Sequence, residues 1–340
     1  LAKGPEEWFD KLEQLVTDAD LRKEMGERAH QSVLWTFGPY RRQILLRQTL
    51  TALTRSSFHL SQTFIPQSKE QLPNLCHPKP ATSPVRTLFS SIRHLNSRVT
   101  VVLPLYNYRQ FIIEALESLK AQTLADLDLI IVDDCSTDDP VPVVRSWLEE
   151  NESRFGSTRF LQNTRNQKLG ITRNNGFDQA ETEFIFPLDP DNTLLPECLE
   201  RCLQGIEVAG AAMAYTDIDY FGDVQTEIAN FDWNPHLLAA GNFVDAMALI
   251  RKEVWISLGG YTTSHDLFSW EDFDFWCKLA EAGLPARRIP TCLCRYRVHQ
   301  KSMLRTLHKD EEFLRILYEK IEEHHPWVDL SIDKQQLDRC

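Results

Sequence analysis

The sequence predicts an α/β protein built on a mainly parallel, doubly wound sheet, and two observations support this fold class. Short apolar runs alternate with amphipathic stretches from residue 98 onward. The runs lack the polar alternation of half-exposed strands, which is typical of strands covered on both faces. A strand, a helix and a second strand form a right-handed crossover, so consecutive strands run parallel. We predict strands at residues 99–104, 128–133, 158–162, 183–188 and 212–216.

Composition excludes several classes of protein. The 340-residue chain has a net charge of −12, which argues against general nucleic-acid binding but permits a nucleotide held through a metal. No apolar run reaches the length of a membrane helix, and the start does not resemble a signal peptide. The eight cysteines show no zinc spacing and favour reduced thiols. We expect no nucleic-acid partner, no membrane span in this chain, and a cytoplasmic location with at most peripheral membrane contact.

The regions outside the predicted sheet divide into three. Residues 1–50 carry two amphipathic helical stripes, and residues 51–97 form a linker rich in Pro and Ser. Within the linker, the apolar spacing of residues 85–95 favours a helix that docks on the following domain. The tail at 306–340 has one apolar helical stripe, which we expect to pack on that domain. Because the chain begins with Leu1 instead of Met, we expect it to derive from a longer protein.

The first predicted strand ends in a polar loop. It reads VVLPLYNYRQF, in which Pro104 is expected to stop the hydrogen-bonding ladder. Tyr106 and Asn107 would then lie in a loop above the sheet. Such a loop can cover a base or a ribose.

The second predicted strand, LDLIIVDDCSTDD, delivers Asp133 and Asp134 to the same edge, where open α/β sheets bind ligands. Adjacent carboxylates repel each other unless a ligand, a metal or a hydrogen-bond donor offsets their charge. The pair is therefore a candidate ligand contact. For the polar residues 136–139, capping of the next helix is a sufficient explanation.

The stretch EFIFPLDPDNTLLP places an acidic pair just after an apolar strand. Asp189 and Asp191 can offer hard oxygen ligands to Mg²⁺ or Mn²⁺ at the ligand edge. The Asp-x-Asp spacing occurs five times in the chain, so position has to decide between the copies. Asp217 and Asp219, which end the next predicted strand, form a rival pair that we rank lower.

The segment NQKLGITRNNG begins a predicted helix. Gly170 lets the backbone approach a ligand at the helix N-terminus, and the nearby cation Lys168 can offset phosphate charge. For Arg173 and Asn174 two interpretations remain open: contact with a ligand, or exposure on the helix surface.

Two carboxylates begin the helix predicted in FSWEDFDFWCKLAEAG. The helix dipole favours acidic residues such as Glu271 and Asp272 at this end, but it does not explain the aromatic cluster around them. The pair is therefore a candidate for proton transfer. Further on, His299 in RYRVHQ has either a structural or a ligand-binding role. His324 and His325 are interpreted as surface residues.

Five blocks of the sequence stand in the order and at the intervals seen in family 2 glycosyltransferases, which have a GT-A fold. The resemblance covers residues 98–305 and implies that nucleotide-binding fold. Residues 1–48 more distantly resemble the C-terminal helices of family 4 glycosyltransferases of the GT-B type. That likeness implies an upstream glycosyltransferase domain, although an independent helical hairpin or an N-terminal extension of the next domain stays open. The blocks are LPLYNYRQFIIEALESLKAQT, IIVDDCSTDD, NQKLGITRNNG, FIFPLDPDN and WEDFDFWCKL.

The family resemblance implies a role for most of these residues. The catalytic pair would be Asp272, as the base, and Glu271. Residues implied to bind the nucleotide sugar are Pro104, Tyr106, Asn107, Asp133, Asp134, Lys168, Gly170, Arg173 and Asp189. Those implied to bind Mn²⁺ or Mg²⁺ are Asp191, Asp189 and His299, and those implied on the acceptor side are Trp270 and Asp219.

The function implied by the resemblance is metal-dependent, inverting transfer of a sugar in polysaccharide biosynthesis. The donor would be a nucleotide diphosphate sugar with UDP as the nucleotide, and the acceptor a hydroxyl of a glycan or of a lipid-linked glycan. Two alternatives remain: a catalytically silent nucleotide-sugar-binding module that scaffolds a partner transferase, and a sugar nucleotidyltransferase. The second normally has a glycine-rich loop after its first strand, and YNYRQF contains no glycine.

Overall fold

The computed structural model describes residues 77–94, 96–264, 267–300, 302 and 310–330. The helices predicted within residues 1–50 and the first part of the 51–97 linker lie outside these ranges. Among the described residues, no helix is long and apolar enough to cross a membrane.

A ten-stranded mixed sheet forms the centre of the described fold. Its strand order is β1-β4-β3-β2-β5-β9-β7-β10-β6, and β8 pairs with β7 outside this path. In chain order the strands are β1 (Val85–Ile92), β2 (Val99–Leu105), β3 (Leu127–Asp133), β4 (Ser157–Asn163), β5 (Phe184–Pro187), β6 (Thr193–Leu194), β7 (Met213–Gly222), β8 (Thr226–Ile228), β9 (Ala248–Arg251) and β10 (Ala286–Val298).

Four neighbouring strands are parallel and define the ligand edge. β2 pairs in parallel with β3 and β5, and β3 pairs in parallel with β4. β2 and β3 are completely buried, as expected for strands covered on both faces. The carboxyl ends of these strands therefore meet at one edge, and the predicted fold class is confirmed.

Helices cover the sheet, and most of them bury a single apolar face. α1 (Ile112–Lys120), for example, buries Ile112, Ala115, Leu116 and Leu119, which share one side of the helix. α3 (Lys168–Gln179) is the exception, because it buries Arg173, Asn174 and Asn175. The remaining helices are α2 (Val141–Asn151), α4 (Cys198–Ala209), α5 (Pro235–Leu238), α6 (Lys252–Ser257), α7 (Glu271–Glu281) and α8 (Glu311–His324).

The prediction of a helix within residues 85–95 is wrong, because this segment forms the strand β1. β1 pairs antiparallel with β4, with Val85 opposite Asn163 and Ile92 opposite Ser157. Its helical spacing of apolar residues is overridden by the open edge of β4, whose backbone groups need hydrogen-bonding partners. The 51–97 segment thus contributes a strand to the sheet.

β2 also continues through Pro104, contrary to the prediction that this residue stops the ladder. Val102 faces β5, since its carbonyl accepts a hydrogen bond from the Leu188 N–H at 2.9 Å. Pro104, two residues on, faces the same side, where the β5 ladder has already ended at the pair Val102–Pro187. Its missing N–H therefore breaks no hydrogen bond, while Leu105 still bonds toward β3 through Asp134 N–H.

The prediction that His325 is a surface residue is also wrong. The C-terminal helix α8 packs on the domain as expected and buries Leu317, Tyr318 and Ile321. His325 follows the end of α8 and is only 3% exposed. Its neighbour His324 remains exposed. The chain turns inward after α8, so two adjacent histidines have opposite environments.

We expect Gly176→Ala to destabilise the domain, because α3 lies directly on β2 at this glycine. A Cβ at position 176 would lie 2.2 Å from Val102 Cγ1, and such overpacking costs about 1–3 kcal/mol. Urea denaturation should show this loss, whereas Asp178→Ala on the exposed side of α3 should change the free energy of unfolding by under about 0.5 kcal/mol. Val102→Ala should relieve the clash, so additive losses in the double variant would contradict the packing argument.

Candidate active site

The loop after β2 is held by the loop after β3. The N–H of Asn107 donates to Ser136 Oγ at 3.0 Å, and Asn107 Oδ1 accepts from the Thr137 N–H at 2.7 Å. Asn107 adopts a φ of 59°, which an Asn tolerates when its side chain bonds locally. The prediction that residues 136–139 cap the next helix is wrong, because α2 follows Pro140 without a side-chain cap. Tyr106 stays 43% exposed above the sheet.

Asp133 and Asp134 are both buried, and the chain itself supplies the donors that offset their charges. Asp133 Oδ2 accepts from Gln162 Nε2 at 2.7 Å. Asp134 accepts from Asn163 Nδ2 at 2.6 Å and from the N–H groups of Gln167 and Lys168 at 2.6 and 2.9 Å. Burial raises the pKa of Asp134, and these hydrogen bonds oppose the rise. Asp134 thereby fixes the start of α3 against the end of β3.

The start of α3 borders a cleft. Lys168 has a φ of 69°, and its Nζ lies 5.8 Å from the centre of the Phe268 ring. At Gly170 the helix touches a neighbouring loop so closely that a Cβ would lie 2.3 Å from the Thr262 carbonyl oxygen. Lys168, Gly170, Thr262, Phe268 and Glu271 are among the residues lining the cleft. The two residues predicted beside the diphosphate thus face the same cleft as one of the candidate catalytic carboxylates.

Arg173 joins the acidic pair after β5 to the acidic pair of α7. Its guanidinium donates to Asp189 Oδ1 at 2.7 Å and to Glu271 Oε1 at 2.9 Å. The residue is only 2% exposed and lies 5.6 Å from the centre of the Tyr261 ring. Burial alone would lower the pKa of Arg173, but Asp189 and Glu271 outweigh it and raise the pKa. Surface exposure is therefore excluded for Arg173.

Asn174, the neighbour of Arg173, is also fully buried. Its Nδ2 donates to the Tyr261 carbonyl at 2.9 Å, and its Oδ1 accepts from the Tyr261 N–H at 3.0 Å. These bonds hold Tyr261 beneath the guanidinium of Arg173. Surface exposure is thus excluded for Asn174 as well, and its side chain supports the adjacent arginine.

Asp191 and His299 meet at the other side of the acidic loop. His299 Nε2 lies 3.0 Å from Asp191 Oδ2, and the imidazole packs against the rings of Tyr108 and Phe111. Burial raises the pKa of Asp191, and the hydrogen bond to His299 counteracts it. Arg297 donates from Nε to the Asp191 carbonyl at 2.9 Å, which holds the loop on β10.

The Asp191 and His299 side chains fit a divalent cation in type and spacing. Ligands in adjacent positions of an octahedral ion, each about 2.1 Å from the metal, lie about 3 Å apart. Asp189 points instead toward Arg173. Within the described ranges, no group of three or more His, Cys, Asp or Glu side chains converges around a point that could hold a metal. Two protein ligands are therefore the most that these residues provide together.

Glu271 and Asp272 stand at the start of α7 with different surroundings. Glu271 is 3% exposed and bound to Arg173. Asp272 is partly buried, and its Oδ2 accepts from Asn242 Nδ2 at 3.3 Å. Burial, followed by the charge of Glu271, raises the pKa of Asp272 to about 8, although Arg173 opposes the rise. Asp272 is therefore a carboxylate with a strong affinity for a proton.

The two acceptor-side candidates have partners within the protein. Asp219 accepts from Arg295 Nε at 2.7 Å, and both residues lie inside strands, since β7 runs on to Gly222. Asp217 pairs with Arg288 through two hydrogen bonds of 2.8 and 2.9 Å. The rival acidic pair is thus fully engaged in ion pairs along β10. Trp270 stands directly before α7, next to the candidate base.

Asn242, Tyr261 and Asn192 belong to the site but were not predicted. Asn242 reaches Asp272, Tyr261 lies under Arg173, and Asn192 Oδ1 accepts from the Arg297 N–H at 2.9 Å. Asn192 directly follows the acidic pair, and this position was the available signal. No pattern in the sequence marks Asn242 or Tyr261, because each acts on a residue distant along the chain.

The parallel strand ends, the acidic loop after β5 and the carboxylates of α7 define a glycosyltransferase of the GT-A fold. Residues 100–263 match the model described as Glycosyl transferase family 2, and this region of the chain belongs to that family. The family resemblance is thereby confirmed, and the match includes the first four blocks; the fifth block, at residues 270–279, lies beyond it.

Two relatives and two solved structures illustrate the likeness. The succinoglycan biosynthesis protein ExoO of Rhizobium meliloti is 32% identical over 36% of this chain and 33% of its own length. The GalNAc(5)-diNAcBac-PP-undecaprenol beta-1,3-glucosyltransferase of Campylobacter jejuni is 34% identical over 32% of this chain and 34% of its own length. The matches thus span about a third of each relative.

The solved structures show the same fold. TarS 1-349 of S. aureus in complex with UDP-GlcNAc has a TM-score of 0.52 and 18% identity, over 71% of this chain and 70% of its own. The mannosyltransferase PcManGT of Pyrobaculum calidifontis, in complex with GDP-Man and Mn²⁺, has a TM-score of 0.53 and 18% identity, over 73% of this chain and 68% of its own.

We expect Arg173→Met to destabilise the domain by about 3–5 kcal/mol, because it leaves Glu271 buried without its cation. The pKa of Glu271, which burial already raises, should rise further in the variant. A raised folded-state pKa favours proton uptake by the native protein, so the variant should regain stability as the pH falls. Urea denaturation between pH 5 and pH 8 measures both effects.

The matched control is Arg145→Met, which removes an exposed ion pair with Glu149 and should have little effect. Equal midpoints for wild type and Arg173→Met across this pH range would contradict the bridging role.

Proposed function

We propose that residues 98–305 form a catalytic domain that transfers a sugar from a nucleotide diphosphate donor to a hydroxyl group. The donor is a UDP-sugar, the acceptor is a glycan or a lipid-linked glycan, and the reaction inverts the anomeric centre. The observation that carries this proposal is Asp272, a carboxylate of raised pKa at the start of α7. Through Glu271 and Arg173, α7 is connected to the acidic loop that follows β5.

The donor end is formed by the edge of β2 and β3. The loop of Tyr106 and Asn107, with Pro104 beneath it, would cover the base, and Asp133 would contact the nucleoside. Asp134 contributes through the start of α3, where Lys168 and Gly170 border the cleft. The cation of Lys168 and the positive end of the helix dipole favour a diphosphate there. UDP-GlcNAc and GDP-Man in the complexes of similar fold support a nucleotide-sugar donor.

Asp191 and His299 are the residues that would hold Mn²⁺ or Mg²⁺, and Asp189 lies beside them in the same loop. When bound, the cation would act as a Lewis acid that neutralises negative charge on the departing nucleoside diphosphate. Asp191 and His299 would thus hold the cation where the donor phosphates can approach it. The Mn²⁺ in the PcManGT complex supports this proposal.

Asp272 acts as the base in a single displacement. It accepts the proton of the acceptor hydroxyl while the hydroxyl oxygen bonds to C1 of the sugar. The bond from C1 to the phosphate oxygen breaks, and its electron pair leaves with the nucleoside diphosphate. One displacement without a protein nucleophile inverts C1, so a single well-placed carboxylate suffices. Arg173 and Glu271 hold the start of α7, while Trp270 and Asp219 lie toward the acceptor.

The biological setting follows from the relatives. The name of ExoO refers to succinoglycan biosynthesis. The name of the Campylobacter jejuni enzyme refers to a glycan linked to undecaprenol. We therefore place the reaction in cytoplasmic assembly of a polysaccharide, where residues 1–50 would connect to a further glycosyltransferase domain. A silent scaffolding module would bind the donor without releasing nucleotide, and a nucleotidyltransferase would release pyrophosphate from a nucleoside triphosphate.

We predict that kcat/KM rises with pH about tenfold per unit below pH 8 and levels off above it, because Asp272 must be deprotonated to act as the base. Asp272→Asn should lower kcat by roughly 10²- to 10⁴-fold while donor binding remains. Nucleotide release from a panel of nucleotide sugars with Mn²⁺ and candidate acceptors measures both. Asp178→Asn, on the exposed side of α3, is the control. If the wild type releases nucleotide no faster than Asp272→Asn does, catalysis is refuted.

Chelation should abolish activity, and added Mn²⁺ should restore it. His299→Ala should raise the Mn²⁺ concentration for half-maximal activity by roughly 10- to 100-fold, because it removes one of two protein ligands. Full activity of the wild type in excess chelator would rule out metal dependence. The control is His236→Ala, at an exposed position on α5.

A further inference from the structure

The segment 310–330 lies against α7, the helix that carries the proposed base, and against the end of α5. Three separate contacts hold it there. The first is a buried charged cluster. His325 Nε2 is hydrogen-bonded to Asp274 Oδ1 at 3.1 Å, and His325 Nδ1 is hydrogen-bonded to Glu281 Oε1 at 2.7 Å. Trp327 Nε1 donates to the same Glu281 oxygen at 2.7 Å. One imidazole therefore bridges two carboxylates that lie two turns apart along α7.

The charges facing this imidazole come from two elements. On α7 they are Asp274, Glu281 and Lys278, whose Nζ lies 2.6 Å from Asp274 Oδ2. On α8 there is His324, whose Nδ1 lies 3.5 Å from Asp274 Oδ1. The hydrogen bonds to both carboxylates outweigh burial and raise the pKa of His325. The histidines and Lys278 in turn lower the pKa of Asp274 despite its burial. The imidazolium is thus the form that the cluster favours.

The second contact lies at the start of α7. The ring of Tyr318 on α8 packs at 5.4 Å against the ring of Trp270, the residue that precedes Glu271. The Trp270 carbonyl accepts the Asp274 N–H at 3.0 Å, so this tryptophan belongs to the first turn of α7. The start and the end of α7 are both in contact with the C-terminal segment.

The third contact lies near Asn242, the hydrogen-bond donor to Asp272. The Asp329 N–H donates to the Ala239 carbonyl at 2.8 Å, at the end of α5. Three residues later Asn242 donates to Asp272 Oδ2. The same short segment thus touches the helix that carries Asp272 and the loop that carries its hydrogen-bond donor.

We propose that His325 is a positioning residue for sugar transfer: together with Tyr318 and Asp329, it holds α7 and the Asn242 loop so that Asp272 faces the acceptor hydroxyl. This inference rests on the proposed role of Asp272 as the base. It assigns a part in the reaction to a segment that lies outside the family match at residues 100–263. His325 touches no reacting atom and acts through Asp274 and Glu281.

The test compares His325→Gln with wild type in the full chain, and uses Glu319→Gln on the exposed face of α8 as the control. Glutamine is neutral and cannot bridge both carboxylates, so α7 should loosen. We expect kcat to fall roughly 10- to 100-fold with the donor KM within about twofold. Loss of the imidazolium removes a positive charge from beside α7, the helix that carries Asp272, so the rise of kcat/KM should move to higher pH. A purely structural role would not move this pH profile.

Hydrogen exchange gives a readout that does not depend on activity. In His325→Gln, amides of α7 and of the 239–242 loop should exchange at least about tenfold faster, while those of β2, β3 and β5 keep their protection. The proposal is overturned if His325→Gln has the same kcat, the same pH profile and the same α7 exchange rates as the wild type. Equal acceleration across the whole sheet would also overturn it, because this would mean a general loss of stability. If wild type releases no nucleotide, the proposed function fails, and the exchange pattern alone decides whether His325 holds α7.

Discussion

The buried guanidinium of Arg173 is the interaction on which the candidate site depends. It binds one carboxylate from the loop after β5 and one from α7, two parts of the chain that no backbone hydrogen bond of the sheet connects directly. Removing a guanidinium and two carboxylates from water is costly, and only good geometry on both sides makes such a triad acceptable. The planar fork of arginine meets this requirement, which the point charge of lysine would not. The acidic loop and the start of α7 are therefore held in one arrangement.

Around this triad the acidic residues divide into two kinds. Asp217, Asp219 and Asp274 are each paired with a cation, and the pKa of Asp274 is low in spite of its burial. Asp272 has an amide as its side-chain partner, and burial together with Glu271 raises its pKa. The candidate proton acceptor thus differs from the structural carboxylates through its neighbours, and not through its position after a strand or at a helix start.

The sequence was sufficient for the central parallel strands and the polar residues at their ends. The apolar runs of β2, β3 and β5 predicted a parallel sheet, and parallel strands necessarily bring their polar ends to one edge. Features that depend on distant partners were missed. β1 forms because β4 has an open edge. Arg173 binds Asp189 and Glu271, which are 16 and 98 positions away along the chain. His325 binds Asp274, which is 51 positions away. No spacing rule encodes these pairings, because only the folded chain brings the partners together.

The strand β1 has a consequence for how the molecule behaves at high concentration. An uncovered edge strand presents backbone donors and acceptors to which another chain can add, and this is a common route to aggregation. Here the inner parallel strand β4 is shielded by β1, which follows Pro78, Pro80 and Pro84, has a register shift between Thr87 and Phe89, and contains only exposed and partly buried residues. At the opposite end of the strand order, β6 is only two residues long. In the described part of the chain, a hydrophobic sheet is thus closed on one side by an irregular strand and on the other by one too short to template a neighbour.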